Sequence, residues 1–330
     1  MTTATQTGES VEMQPSAASM KLSFMERLRK GDEAAYLITL CAALTVALIT
    51  ALLAQHLWAN SSLSRHQSGW NFLWSSEWDP GSEIFGALPF IYGTLVTSVL
   101  SLIIAIPIGL GAAIFLAEMA PRKLSDILTF LVELLAAVPS VIFGLLGIFV
   151  LVPFLTAYVV PALRALFGWL PIFQGAFYGV SYFSASVVLA IMIVPFIVSI
   201  SREVLLSVPA SQREAMMALG ATKWDVTWHA VVPYASRGIM GSVFLALARA
   251  LGETMAVTMV IGNVPDVHVS LLSPGYTIAA VIANEFTEAT GDLYIHALIE
   301  LGLVLFVTTM IINAAARLLM LRFKVQEVNA

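Results

Sequence analysis

Charge is what this chain has least of. Only 11% of its 330 residues are Asp, Glu, Lys or Arg, whereas soluble proteins carry about 25%. A water-soluble globular enzyme is excluded on that ground. Cysteine is almost absent too: Cys41 stands alone inside an apolar block, so there is no disulfide framework and no cysteine metal site, and it reads as a small packing residue. No stretch fits the phosphate-cradling G-x-x-x-x-G-K-[ST] loop, so the chain itself is not expected to hydrolyse nucleotide. There is no H-E-x-x-H either. His56, His66, His229 and His268 fall at block ends or in loops, and His296 lies near the start of the last block, without ligand-like spacing. The net charge of −5 argues against nucleic acid as a partner.

What the chain has instead is apolar length. Hydrophobic residues make up 59%, and the mean hydropathy is +0.89. They are gathered into six long blocks: Tyr36 to Leu57, Phe90 to Leu116, Ile127 to Val152, Tyr182 to Ser201, Ile239 to Gly262 and Tyr294 to Leu318. About 20 helical residues cross a 30 Å hydrocarbon core. The expected fold is therefore an all-α polytopic membrane protein with six transmembrane helices. Residues 1–33 read as a flexible cytoplasmic tail, 34–58 as the first crossing, 59–88 as an extracytoplasmic segment and 89–320 as a core of five crossings. Within that core, 202–237 is a cytoplasmic loop, and 321–330 form a cytoplasmic tail. The first block begins too late and runs too long for a cleavable signal, so it is expected to remain as an anchor.

The few basic residues are placed with a bias. Lys21, Arg27, Arg29, Lys30, Arg122, Lys123, Arg202, Arg213, Lys223, Arg237, Arg317, Arg322 and Lys324, thirteen of the sixteen, lie in the first, third, fifth and last inter-block segments. The alternate segments hold only Arg65 and Arg164, and Arg249 lies inside a block. The positive-inside rule then predicts cytoplasmic N- and C-termini, and an even number of crossings agrees.

Between the crossings, Trp70, Phe72, Trp74 and Trp78 suit either interface anchoring or the docking of an extracytoplasmic partner. The outer segments, at most about 30 residues, are too short to fold a solute-binding domain. Pro139 and Pro195 interrupt the third and fourth blocks, while Gly144 with Gly147 and Gly109 with Gly111 offer surfaces for close helix approach. The partly apolar stretch from Leu271 to Phe286, with Pro274 and Gly275 near its start, is too short to cross and reads as a re-entrant or interfacial turn.

Charges inside the blocks are where chemistry is expected. A charged residue at the bilayer centre costs about 2.5–3.5 kcal/mol on the insertion scale, so neither Arg249 nor Glu253 belongs against lipid. Their i, i+4 spacing predicts one helix face. Two readings follow: a self-paired couple at a helix interface, or an anion-coordinating Arg whose field the carboxylate tunes. Glu133, six residues before Pro139, is either an ion-pair partner for another helix or part of a gated polar pathway. Glu300 reads as an interface residue in contact with water.

The longest inner loop predicts a short helix. Ser211 is the expected N-cap with Glu214 completing a capping box, and Gly220 the stop. Ala215, Met216 and Leu219 make its apolar face, which needs something to dock against because so short a helix is marginal alone.

That loop carries a resemblance. Glu214-Ala215-Met216, three residues, Gly220, nine residues, then Ala230-Val-Val232-Pro233 resembles the EAA loop of bacterial ABC importer permeases. Glu133-Leu-Leu-Ala-Ala-Val-Pro139-Ser140-Val-Ile-Phe-Gly144, Arg249-Ala-Leu-Gly252-Glu253-Thr-Met-Ala256 and Ser273 to Phe286 are similar to segments of the PstC-type permeases of the bacterial phosphate importer. The likeness runs from about Gly86 to Leu321.

The resemblance implies a type I ABC importer (MetI-like) permease fold in the bacterial inner membrane, and no catalytic or metal-binding residues. It carries over Arg249, Glu253 and Glu133 as the phosphate pathway and Pro139, Ser140 and Gly252 as a gate or kink. Glu214, Ala215, Met216, Leu219, Gly220 and Pro233 become the coupling contact with an ATPase. It implies as partners a second, PstA-like membrane subunit, a dimer of PstB-like ATPase subunits that binds ATP and Mg, and a PstS-like extracytoplasmic binding protein, with membrane lipid around them. Residue chemistry alone leaves open a permease for sulfate, molybdate or phosphonate, or a membrane scaffold or sensor that moves no solute.

Overall fold

A computed structural model describes residues 32–328, and their side chains from 35 to 318. The basic tail of Lys21, Arg27, Arg29 and Lys30 and most of the expected 1–33 segment lie outside the described residues. So do the side chains of Arg322 and Lys324. Among the described residues there is no strand, only the isolated bridges Asp79 to Ile84 and Gly262 to Gly275.

The chain divides into two compact units, up to Gln55 and from His56 onward. The first contains the body of the helix Asp32–Asn60, whose side chains from Ala35 to Leu53 are all exposed. A helix that is apolar on every face is suited to lipid on every face.

Among the described residues, six helices are long and apolar enough to cross a membrane: Ala35–Asn60, Leu88–Met119, Ser140–Phe167, Tyr182–Leu206, Lys223–Leu251 and Asp292–Leu318. In the second unit, the fourth is the axis of the packing. Its Leu189, Ile193 and Ile197 are wholly buried among residues of the second, third and fifth crossings. Pro195 lies inside this helix without ending it. Small residues set the spacing. A methyl on Gly109 would meet Ile197 Cγ2 at 2.8 Å, and one on Gly147 would meet Val188 Cγ2 at 2.9 Å, whereas Gly111 faces open space. Hydroxyls within the second crossing bond back to their own helix: Thr94 Oγ1 donates to the Phe90 carbonyl and Thr97 Oγ1 to that of Gly93, both at 2.7 Å.

The third crossing is a broken helix. Arg122–Ala136 is amphipathic, and its Ser125 Oγ donates to the Leu116 carbonyl at the coupling-loop end of the second crossing (2.8 Å). The chain then stops, and helix resumes at Ser140 with Pro139 at the N-cap. Gly147 touches Val188, and Leu155 clusters with Phe183 from the first turn of the fourth crossing. The passage through the bilayer therefore runs from about Ser125 to Leu155, and the turns up to Phe167 project past the opposite end. Proline accounts for the break: it has no N–H to donate and steers Val138 away from helical geometry.

The stretch from Gly262 to Thr277 folds back into the protein. Leu272, Tyr276 and Thr277 are buried, and the Ile278 N–H donates to Thr94 Oγ1 of the second crossing (3.0 Å). Gly275 is required there because an added methyl would lie 2.0 Å from Tyr182 Cζ, inside its ring. The aromatic residues between the first two crossings separate into two sets. Phe72 and Trp78 are buried in a cluster with Phe85 and Phe90, while Trp70 and Trp74 are exposed. Trp78 Nε1 and Tyr294 Oη both donate to Glu285 Oε2, at 2.9 and 2.6 Å, which fastens this segment to the stretch before the sixth crossing.

Candidate functional site

The fifth crossing is broken as well, and the break falls between the two charges that the sequence singles out. Helix Val232–Leu251 ends two residues after Arg249, and Gly252 closes it at φ −96°, ψ 0°. A second helix, Met255–Ile261, continues the passage. The predicted i, i+4 face shared by Arg249 and Glu253 is therefore corrected, because the α-helix ends at Leu251 and only a tighter turn, with the Glu253 N–H donating to the Ala250 carbonyl at 3.4 Å, leads on to Glu253. Glycine next to residues that end the helix costs the ladder its continuity. Glu253 instead turns onward: its Oε1 accepts from the Ala256 N–H at 3.2 Å, bonding the first turn of the following helix.

Packing gives the depth of this break. Near the coupling loop, the buried hydroxyls of Ser201 and Ser242 are hydrogen-bonded across the fourth and fifth crossings (2.8 Å). At the other end the Ser181 N–H donates to the Val260 carbonyl (3.1 Å). Arg249 to Thr254 lie between these anchors, near the middle of the bilayer. The third crossing breaks close by. Its Ser140–Leu146 helix packs on Met255–Ile261, where a methyl on Gly144 would come 3.2 Å from Ala256 Cα. Two neighbouring helices thus open their backbone at mid-depth, an arrangement tolerated in lipid only against protein or a polar cavity.

Arg249 is half-buried, and among the described residues it has no ion pair. Its Cζ sits 4.3 Å from the centroid of the Phe196 ring, and its Nε is buried without a hydrogen-bond acceptor. A guanidinium over an aromatic face is steadied by the ring quadrupole and keeps its donor fork available. An unpaired cation at mid-membrane is costly unless an anion meets it. Phe196 belongs to the site and has no distinguishing sequence signal, since one phenylalanine among apolar neighbours resembles any other.

The remaining predicted residues are distributed as follows. Ser140 is the first residue of its helix and Gly252 is exposed at the fifth-crossing break. Glu133 is exposed on the helix before Pro139, and its side chain makes no hydrogen bond or ion pair among the described residues. Glu300, expected in contact with water, is 5% exposed. It lies beneath the helical segment Ser62–Ser68, which packs over that end of the sixth crossing and excludes solvent from it.

At the far end of the molecule, the short helix is Ala210–Ala218. Its predicted Ser211 cap and Glu214 capping box are corrected: Pro209 occupies the N-cap with ψ 138°, which starts the helix earlier and leaves Ser211 inside its first turn. A capping box does form one element later, between Thr222 and Asp225. Gly220 terminates the region at φ +84°, a left-handed conformation that glycine adopts without strain. The expected apolar face divides in two. Met216 packs inward beside Ala113, Leu205 and Val231, whereas Glu214, Ala215, Met217 and Leu219 are exposed, Leu219 at 84%. Pro233 is exposed in the first turn of Val232–Leu251. Arg213, read from sequence only as a topogenic charge, holds this helix in place. It forms a two-pronged ion pair with Glu118 and donates to the Leu205 and Val208 carbonyls.

Comparison with known proteins bears on this architecture. The sequence profile of the binding-protein-dependent transport system inner membrane component matches residues 105–325. The chain is 45% identical over 315 residues to the phosphate transport system permease protein PstC of Mesorhizobium japonicum, covering 94% of this chain and 96% of that one. It is 48% identical to the protein of the same name from Xylella fastidiosa, over 86% of this chain and 88% of the relative. Among solved structures, a bacterial ABC transporter involved in the import of the acidic polysaccharide alginate superposes with a TM-score of 0.58 at 16% identity, over 90% of this chain and 99% of that one. A chain of the MetNI methionine ABC transporter in inward-facing form superposes with a TM-score of 0.51 at 18% identity, over 71% and 94%. These two likenesses establish the fold: a type I ABC importer, MetI-like permease.

Proposed function

Because this chain belongs to the PstC family of phosphate transport system permeases, within the binding-protein-dependent transport system inner membrane components, we propose a mechanism of phosphate import centred on Arg249. It is a multi-pass inner-membrane permease subunit of an ABC importer. The observation that carries the mechanism is the buried, acceptor-less Nε of a cation at mid-depth, between two broken crossings.

Phosphate at neutral pH is an oxyanion of charge −1 to −2, and the planar guanidinium matches its oxygens with a fork of donors. Phe196 holds the fork without competing for its hydrogens. Glu253, bonded to the Ala256 N–H, puts a carboxylate on the same helix break, and its field would weaken the cation's hold on the anion, which suits a site that must release what it admits. Its carboxylate would also accept from a protonated phosphate oxygen, which sulfate lacks at this pH. Glu133, next to the third-crossing break, lines the way in or out, and Pro139, Ser140 and Gly252 are the points about which the half-helices shift.

Energy comes from outside the chain. The ATPase, with its ATP and Mg, is a separate PstB-like dimer that grips the exposed side of Ala210–Ala218, with Glu214, Ala215, Met217 and Leu219 toward it. Met216 and the Arg213 clamp carry its movement inward. A PstA-like subunit completes the translocation path, and a PstS-like protein delivers phosphate on the extracytoplasmic side. Both termini and the coupling loop are cytoplasmic, in keeping with the distribution of basic residues.

The test is uptake by the full importer reconstituted with Arg249→Gln. Phosphate transport is expected to fall about a hundredfold while ATPase co-purification persists. Undiminished uptake would remove Arg249 from the mechanism.

A further inference from the structure

A cavity of about 630 Å³ lies in the second unit against the sixth crossing, at the end away from the coupling loop. Its wall on the sixth crossing runs from Glu300 to Ile311, about 16 Å along a helix axis. That is close to half of a 30 Å hydrocarbon core, so the cavity has the depth of one leaflet. The long wall is apolar, with Leu303, Val304 and Val307, while its mouth carries Trp58, Trp70 and Trp74. Indole rings at a mouth of this depth belong at the boundary between acyl chains and headgroups.

The polar end carries one charge of each sign. Arg65 stacks on Trp58 with its Cζ 3.7 Å from the ring centroid, and donates through Nε to Ser61 Oγ (3.0 Å) and through Nη2 to the Trp58 carbonyl. Its Nη1 makes no hydrogen bond among the described residues. Glu300 is 95% buried, and its Oε2 has no hydrogen-bond partner. The buried Ser64 hydroxyl lies against the same carboxylate, and Arg65, with no ion pair to it within 4 Å, acts on it through its field. A buried carboxylate oxygen left without a donor is costly and calls for one. Space, a guanidinium with a free donor and an acceptor without one are thus collected at the mouth of an acyl-length slot.

We propose that this cavity binds one phospholipid with a primary-amine headgroup, phosphatidylethanolamine, its phosphate on Arg65, its ammonium donating to Glu300 Oε2 and one acyl chain along Leu303 to Ile311. The pairing of charges favours this lipid over the others. A phosphatidylglycerol headgroup would bring a net negative charge beside Glu300. The quaternary ammonium of phosphatidylcholine has no hydrogen to donate.

The experiment is native mass spectrometry of the assembled importer, stripped in detergent and titrated with these three lipids at matched acyl chains. The wild type is expected to retain a single phosphatidylethanolamine about tenfold more tightly than either competitor. Glu300→Met, which removes the acceptor, is expected to bring phosphatidylethanolamine and phosphatidylcholine to parity. Val304→Trp, which fills the slot and leaves both charges in place, is expected to abolish retention of that one lipid. Equal retention of the three lipids by the wild type, or no retained lipid because a second membrane subunit fills the slot, overturns the proposal. So does a preference that survives both substitutions.

Discussion

Arg213 and Glu118, 95 residues apart, form a two-pronged ion pair, Nη2 to Oε1 at 2.7 Å and Nε to Oε2 at 3.3 Å. The first belongs to the helix Ala210–Ala218 and the second to the last turn of the second crossing, and their side chains are only 19% and 12% exposed. An ion pair so placed resists separation because either charge alone would be left poorly solvated. It fixes Ala210–Ala218 to the end of the second crossing, and under the proposed function it makes that helix a lever.

Removing one end of that lever should uncouple transport before it unfolds the protein. Glu118→Gln or Arg213→Gln is expected to cost about 2–3 kcal/mol locally and to lower phosphate uptake about tenfold per ATP hydrolysed. The exchanged pair Glu118→Arg with Arg213→Glu should recover part of that loss. The ratio of uptake to ATP hydrolysis in proteoliposomes is the measurement, and a ratio unchanged in both single variants would reject the lever.

Glu253 separates cap from charge. Glu253→Ala removes the acceptor for the Ala256 N–H and is expected to cost about 1 kcal/mol, seen as a lower Tm of the detergent-purified complex. Glu253→Gln keeps a carbonyl oxygen at that place and should leave Tm unchanged. Equal Tm for the two variants would show that the contact with Ala256 stabilises nothing.

Leu219 is expected to matter to the assembly and not to the subunit. At 84% exposed it contributes little to this fold, yet burial of one leucine side chain against a partner is worth about 1.5–3 kcal/mol. Leu219→Ser should therefore weaken ATPase binding at least tenfold, read from co-purification at graded dilution, with no change in the Tm of the membrane subunit.

Alkaline stability has a named contributor. Burial pushes the Tyr276 hydroxyl up to about 12, with the Glu285 carboxylate nearby adding to it, although the hydrogen bond from Asn284 works in the opposite sense. The neutral form is the one the fold holds, so its contribution is fully present below the unfolded value near 10 and is lost as pH rises through about 12. Thermal unfolding should show stability falling between about pH 10 and 12, with a shallower fall in Tyr276→Phe. Identical slopes for the two proteins would exclude Tyr276 as a contributor.

How much of this was legible in the sequence follows from the solvent. Lipid requires every crossing to be long, apolar and internally hydrogen-bonded, so six crossings and the oddity of Arg249 and Glu253 can be read along the chain without knowing any contact. The EAA spacing is equally local, as is the backbone freedom of Gly220. Distance in sequence defeats such reading elsewhere. Glu118 looks like an ordinary interfacial acid until Arg213 folds onto it, and Phe196 like any lipid-facing ring until Arg249 lies over it. Only the tertiary structure separated Arg249 from Glu253, because i, i+4 proximity presumes a continuous helix and Gly252 ends it. Only the tertiary structure also buried Glu300, since the helical segment that covers it comes from the opposite end of the chain. Periodicity and hydropathy decide what a segment must avoid, namely bare backbone and bare charge in lipid, and packing decides which neighbour relieves it.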